Sequence, residues 1–220
     1  MKNKKQKKTY FYEIRKDILP LIPPQSKSLL DVGCGGGYTA KYIKENFRMD
    51  IVEGVEISPE IIDTARSNVD KLYTLNLENV ENFYEIFQRQ YDCILLLDIL
   101  EHMVNPYVVL SRIKTILSKN GVLIISLPNI RHYRAVAPLL FLNEWKYTSA
   151  GPLDRTHLRF FTLKSMRRII NEAGFEIISE QPKRSYTKSF TIVNLLSFGF
   201  LSKFSVLQYL FLCRYIKNND

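Results

Sequence analysis

The stretch Leu29-Leu30-Asp31-Val32-Gly33-Cys34-Gly35-Gly36-Gly37-Tyr38 constrains this chain more than any other. An apolar run ends in an acid, breaks into four glycines within five residues, and gives way to a helical pattern. That order predicts a buried strand, a tight turn and a helix whose N-terminus faces a ligand. Glycines let backbone N–H groups approach a ligand with no Cβ in the way. The plain alternative is a tight turn and nothing more.

Two ligand chemistries suit such a turn. A dinucleotide fingerprint spaces its glycines as G-x-G-x-x-G, the third one allowing close helix–strand packing. Here Tyr38 occupies the third glycine position. Asp31, just ahead of the turn, would also repel a pyrophosphate. An acid at that place suits a cofactor with a cationic amino-acid end.

From residue 28 onward, strand and helix patterns alternate. Strands are predicted over 28–32, 51–57, 72–75, 93–97 and 122–127. Helices are predicted over 38–46, 59–68, 78–88 and 106–117, with Ser58 as N-cap before Pro59 and Asn120-Gly121 closing the last. The continuous apolar run 93–97 suits a strand buried on both faces. Alternation of this kind builds an α/β chain with a parallel sheet and right-handed crossovers. Residues 9–19 ahead of it are predicted as a short amphipathic helix stopped by Pro20, Pro23 and Pro24. Beyond it comes a long aromatic and basic segment with a short helix at 134–142. A capped helix over 162–173, strands at 175–179 and 206–213, and an apolar helical stretch from 190 to 204 follow.

The net charge of +9 is unevenly placed. Residues 1–8 carry five lysines and no acid, residues 181–220 carry six basic side chains against Asp220, and residues 9–180 hold 20 basic and 21 acidic ones. A near-neutral body argues against a nucleic-acid groove, while basic ends suit an anionic surface. Three scattered cysteines without a CxxC pair argue against a disulfide framework and for a reducing, cytoplasmic setting. The basic start is not followed by an apolar signal core, and no apolar run reaches the roughly 18–20 residues of a membrane span. The chain thus divides into a disordered basic tail (1–8) and one domain (9–220). That domain carries a substrate-side insertion at about 128–161 and an apolar segment at about 190–213. With Leu139, Leu142 and Trp145, the apolar segment suits a cap over a lipid-like or aromatic acceptor, a peripheral membrane contact, or a core-facing helix with the last sheet strand.

Four motifs stand in order between residues 29 and 178. They are Asp31-Val32-Gly33-Cys34-Gly35-Gly36-Gly37; Val55-Glu56-Ile57-Ser58-Pro59-Glu60; Tyr91-Asp92-Cys93-Ile94-Leu95-Leu96-Leu97-Asp98-Ile99-Leu100-Glu101-His102-Met103; and Gly121-Val122-Leu123-Ile124-Ile125-Ser126-Leu127-Pro128-Asn129. Together they resemble the class I S-adenosylmethionine-dependent methyltransferases. The resemblance implies a Rossmann-like, seven-stranded, mostly parallel sheet with helices on both faces and the last strand antiparallel. It also implies that Asp31, Gly33 and Gly35 position the methionine part of S-adenosylmethionine. Glu56, followed by Ile57, takes the ribose hydroxyls, Asn76 and Leu77 flank the adenine, and Leu97 touches the cofactor through its backbone.

Methyl transfer needs an acceptor aligned with the sulfonium methyl and, for a hydroxyl, help in losing a proton. Asp98, Glu101 and His102 follow the fourth strand, where sites sit in open α/β sheets, and on a helical turn they share one face. His132 opens the long insertion, and His157 lies within it. The pattern Asp98-x-x-Glu101-His102 with a later histidine is similar to ubiquinone-pathway O-methyltransferases. It is also similar to small-RNA terminal 2′-O-methyltransferases, in which two Glu and two His hold a divalent ion. Segments 126–133 and 154–162 look like bacterial methyltransferases associated with surface polysaccharides. These resemblances imply O-methylation of a small or carrier-linked hydroxyl, either a surface-glycan sugar or a quinone-type phenol. His102 or His157 is then a general base, or Asp98, Glu101, His102 and His157 hold a divalent metal. Two further readings are a cap that only shapes the cofactor pocket and a clip that pins the loop. At the level of the whole chain, the alternatives are a non-catalytic cofactor-binding partner in a biosynthetic complex, an RNA methyltransferase, and a dinucleotide dehydrogenase.

Overall fold

A computed structural model describes residues 11–216, so the lysine-rich tail lies outside the described residues. The chain forms a seven-stranded sheet of β1 (Ser28–Val32), β2 (Ile51–Val55), β3 (Lys71–Tyr73), β4 (Tyr91–Leu97), β5 (Leu117–Pro128), β6 (Phe175–Arg184) and β7 (Val206–Tyr215). Their order in the sheet is β3-β2-β1-β4-β5-β7-β6. Strands β1 to β5 pair in parallel, and β7 runs antiparallel to both β5 and β6.

Helices cover both faces, as the apolar run in β4 requires. Ile94 and Leu96 face a core shared with α3 (Phe83–Phe87), α4 (Pro106–Ile113) and α6 (Leu163–Glu172). Cys93, Leu95 and Leu97 face a second core built with α1 (Tyr38–Asn46) and a 3-10 turn at Lys16–Leu21. The remaining helices are the short α2 (Ile62–Arg66), α5 (Tyr133–Leu142) and α7 (Lys188–Leu196). All three cysteines are free. No helix among the described residues is long and apolar enough to cross a membrane.

Several local expectations need correction. Among the described residues of 9–19, no amphipathic helix forms. That stretch runs irregularly to Arg15, whose N–H donates to Thr39 Oγ1 at 3.1 Å, and then coils into the 3-10 turn containing Pro20. Ser58 does not cap a helix: α2 starts only at Ile62, with Ile61 at its N-cap, and the Ser58 N–H donates to Glu56 Oε1 at 2.8 Å. Asn120-Gly121 does not close α4, which ends at Ile113, but lies inside β5 where its register against β4 shifts. A Cβ on Gly121 would sit 2.8 Å from the Tyr91 carbonyl oxygen, so glycine permits that close approach. The apolar stretch from 190 to 204 divides into α7 and a 3-10 turn at Phe200–Ser205, the break falling at Phe198 and Gly199, both at positive φ.

Candidate functional site

Most of the candidate residues follow the carboxyl ends of β1, β2, β3 and β4, the edge where parallel sheets bind ligands. Gly33, Gly35 and Gly37 hold φ of +71°, +55° and +74°. Gly33 and Cys34 both donate to the Val55 carbonyl, at 2.8 and 3.1 Å, which folds the turn against β2. A Cβ on Gly33 would meet Ile99 Cδ1 at 2.7 Å, so the loop after β4 packs directly on the turn. The Phe11 carbonyl accepts from the Gly36 N–H at 3.1 Å, which lays the start of the described chain against the same turn.

Glu56 organises this side of the site. Its Oε2 accepts from Gly35 N–H and its Oε1 from Ile57 and Ser58 N–H, each at 2.8 Å. Asp31 is buried beside it, and burial, reinforced by the charge of Glu56 and opposed by Arg15, pushes its carboxyl up to about 7. Two acids crowded in this way favour the arrival of a cation. Asn76 is exposed and caps the turn Leu77–Asn79 through Glu78 N–H at 2.9 Å. Leu77 sends its side chain into the core, and Leu97 ends β4 almost fully buried, so both offer backbone toward the edge.

Asp98 departs from the expected arrangement. It does not share a helical face with Glu101 and His102, because its φ is +56° and the helical turn starts only at Leu100. Its carboxylate is turned toward Arg15 at 2.6 Å, Ser126 Oγ at 2.7 Å and the Gln208 amide. As a ligand beside the histidines it is therefore displaced. Arg15 also reaches Ser126 Oγ at 3.2 Å and pairs with Asp17, which in turn holds Lys183. Sequence reasoning missed Arg15, Ser126 and Gln208. The only signal was a buried-strand serine in an otherwise apolar run, since Arg15 sits in a stretch with helical periodicity.

Glu101, His102 and His157 are brought together. One ligand-capable atom from each lies within 4.8 Å of the others, and among the described residues no other group of this kind forms. The two imidazole rings meet edge-on with centroids 4.9 Å apart. His102 Nδ1 lies 3.1 Å from the Thr156 carbonyl, and His157 Nδ1 lies 3.3 Å from that of Pro152. A carbonyl only accepts, so each Nδ1 carries a proton, and Nε2 is the nitrogen left to accept when the ring is neutral. His157 Nε2 is 3.9 Å from Glu101 Oε1. Burial, helped by the neighbouring His102, lowers the basicity of His157 and keeps the ring neutral. Glu101 is 1 % exposed and its Oε2 has no hydrogen-bond partner. Burial, with Asp98 next, raises its carboxyl well above the ordinary range. Two imidazoles and a buried carboxyl with one unpartnered oxygen form a donor set that fits a proton or a divalent ion with nitrogen and oxygen preference.

His132 stands apart. It is fully buried as N-cap of α5, and burial lowers it to about 4. The loop that carries His157 is fixed by Leu158 and Arg159 N–H groups donating to the Glu101 carbonyl, at 2.8 and 3.0 Å. Trp145 and Tyr147 pack on Phe160, whose ring lies 6.4 Å from that of His157. A chain of aromatic contacts thus runs from Trp145 and Tyr147 through Phe160 to His157.

Residues 6–180 match the model of a methyltransferase-domain family. A ubiquinone biosynthesis O-methyltransferase of Cereibacter sphaeroides is 25% identical over 174 residues, 77% of this chain and 68% of that protein. One of Coxiella burnetii is 30% identical over 161 residues, 71% of this chain and 67% of that protein. Among solved structures, an S-adenosylmethionine-dependent methyltransferase from Archaeoglobus fulgidus superposes with a TM-score of 0.64 at 14% identity, covering 90% of each chain. The glycine turn, the acid after β2, the sheet order and the family match converge on one assignment: the chain belongs to the methyltransferase-domain family and is an S-adenosylmethionine-dependent methyltransferase.

Proposed function

We propose that this methyltransferase transfers the S-methyl group to a hydroxyl oxygen of a quinone-type phenol. The observation that carries the reading is the pair of Nε2 lone pairs on His102 and His157 gathered against buried Glu101. The aromatic approach through Phe160, Trp145 and Tyr147 supports a phenol over a sugar. So do the names of the relatives just described.

On the cofactor side, Glu56 takes the ribose diol, Asp31 and the turn at Gly33 and Gly35 take the methionine end, and Ile57, Asn76, Leu77 and Leu97 border the base and ribose. His157 Nε2 accepts the phenolic proton as the oxygen attacks the methyl carbon in line. The carbon–sulfur bond breaks with its electron pair passing to sulfur, leaving a neutral thioether. The phenolic proton stays on His157 as an imidazolium, with Glu101 Oε1 3.9 Å from its Nε2 to face that charge. A divalent ion held by Glu101, His102 and His157 would lower the acceptor's pKa at the same point.

The test is transfer of labelled methyl from S-adenosylmethionine to a hydroquinone with an alkyl tail, set beside a nucleotide sugar and an amine. Methylation of the hydroquinone oxygen is expected, and product on the sugar or the amine alone would overturn the reading. Dialysis against chelator, followed by metal analysis, decides the role of an ion. Undiminished turnover in metal-free protein leaves His157 acting alone.

Asp31 imposes a pH dependence. Its carboxyl titrates near 7, and only the ionised form attracts the cofactor's ammonium. S-adenosylmethionine affinity is therefore expected to fall about tenfold from pH 8 to pH 6, following the ionised fraction. Calorimetry on Asp31→Asn should give weaker, pH-flat binding. An unchanged slope in that variant would place the titrating group elsewhere.

A further inference from the structure

The ends of α5 and α7 carry apolar side chains that the fold leaves uncovered. Leu140 and Phe141 of α5 are 69 % and 82 % exposed, and Leu195 and Leu196 of α7 are 77 % and 75 % exposed. The turn after α7 leaves Phe198 completely exposed and Phe200 at 82 %. Burying such side chains is favourable, so a cluster of this kind marks a contact surface. The two helices start together: Tyr133 stacks on Phe190 with centroids 4.2 Å apart, and Tyr133 Oη lies 3.3 Å from Thr187 Oγ1.

Charge around these helices is mainly basic. Residues 130–146 hold Arg131, Arg134 and Lys146 against Glu144, and residues 181–216 hold five basic side chains and no acid. A cavity of about 380 Å³ at the base of the α7 turn is lined by Arg131, Arg184 and Lys203. Its one acid, Glu180, is already held by Arg167 at 2.7 and 3.0 Å. Arg184 is anchored to the Ser202 carbonyl at 3.2 Å, and the Arg131 guanidinium lies 5.0 Å from the Phe204 ring centroid. Arg131 and Arg184 are therefore fixed next to the apolar turn.

We propose that the exposed ends of α5 and α7 enter the interface of an anionic lipid bilayer, with the Arg131–Arg184–Lys203 cavity receiving a lipid phosphate. Apolar tips beside fixed cations match the acyl and headgroup layers of such a surface. A second copy of the chain would set basic side chains against basic ones, which disfavours self-association through this face. The loop following α5 carries Trp145 and Tyr147, which lead through Phe160 to His157. A lipid-dissolved acceptor would thus enter the reaction edge from the bilayer side, an extension that rests on the phenol reading above.

The test is flotation of the full chain with vesicles of phosphatidylglycerol and phosphatidylcholine, set beside vesicles of phosphatidylcholine alone. Binding to the anionic vesicles is expected to be at least about tenfold tighter. The double variant L195D/F198D should lose at least about tenfold of that binding while its S-adenosylmethionine affinity is unchanged. Lys203→Glu should reduce the preference for phosphatidylglycerol, and L195S/F198S serves where the aspartates impair folding. Equal binding to neutral vesicles, undiminished binding by both double variants, or a dimer that these variants dissociate would each overturn the proposal. Flotation uses no acceptor. Vesicle binding without hydroquinone methylation therefore overturns the phenol reading alone, and methylation without vesicle binding overturns the surface alone.

Discussion

Glu56→Ala is expected to weaken S-adenosylmethionine binding by about two orders of magnitude or more. A vicinal diol donating to a carboxylate makes charge-assisted hydrogen bonds of roughly 1.5–3 kcal/mol each. The same carboxylate also fixes the glycine turn through Gly35 N–H and shapes the bend after β2 through Ile57 and Ser58 N–H. Its removal therefore deletes a ligand contact and loosens the backbone that makes others. Glu56→Gln should fall between, because its amide nitrogen cannot accept from the backbone N–H groups that now point at both oxygens. Titration calorimetry reads the loss, and thermal unfolding of the same variants separates it from a loss of fold. A dissociation constant within threefold of the parent protein would remove Glu56 from the ribose site.

His157→Ala should reduce turnover by about 10²–10⁴, the usual range for deleting a positioned general base, with cofactor affinity unchanged. Its Nδ1–H is committed to the Pro152 carbonyl, so the ring presents only Nε2 to the reaction. The loop itself is held by backbone bonds from Leu158 and Arg159 to Glu101, which the substitution leaves intact. Loss of turnover would then report chemistry and not a displaced loop. Full activity in this variant would reduce His157 to a clip that pins residues 143–161 over the sheet edge.

The parallel half of the sheet was legible because its strands are short, mainly apolar runs and its turns are marked by glycine and proline. Leu29 to Val32, Val52 to Val55 and Cys93 to Leu97 are buried throughout, with Asp31 and Glu53 the two acids among them. Helix boundaries were less legible where a tertiary bond outbid a local signal. Glu56 draws the Ile57 and Ser58 N–H groups into the bend after β2 while α2 starts only at Ile62, and Gly121 serves strand packing instead of ending a helix. At the reaction edge, Glu101, His102 and His157 could be read because few side chains carry that chemistry in this chain. Asp98 was placed on their face by helical spacing, but a left-handed backbone turned it the other way. Its partners Arg15, Ser126 and Gln208 lie 83, 28 and 110 residues distant, beyond the reach of any local pattern.

The placement of β7 between β5 and β6 has a consequence for synthesis of the chain. Sheet strand β6 emerges before its only neighbour exists, because β7 follows it in sequence and bridges it to the rest. Until then β5 presents a bare edge along Val122–Leu127, an apolar stretch with unpaired N–H and C=O groups of the kind that recruits other chains. The bond from Gln208 to Asp98 likewise waits for β7. A nascent chain halted before residue 206 thus holds its first five strands and its glycine turn but exposes a sticky seam. Completion of the sheet and closure of the Asp98 node are one late event, which a chaperone must shelter or translation must outrun.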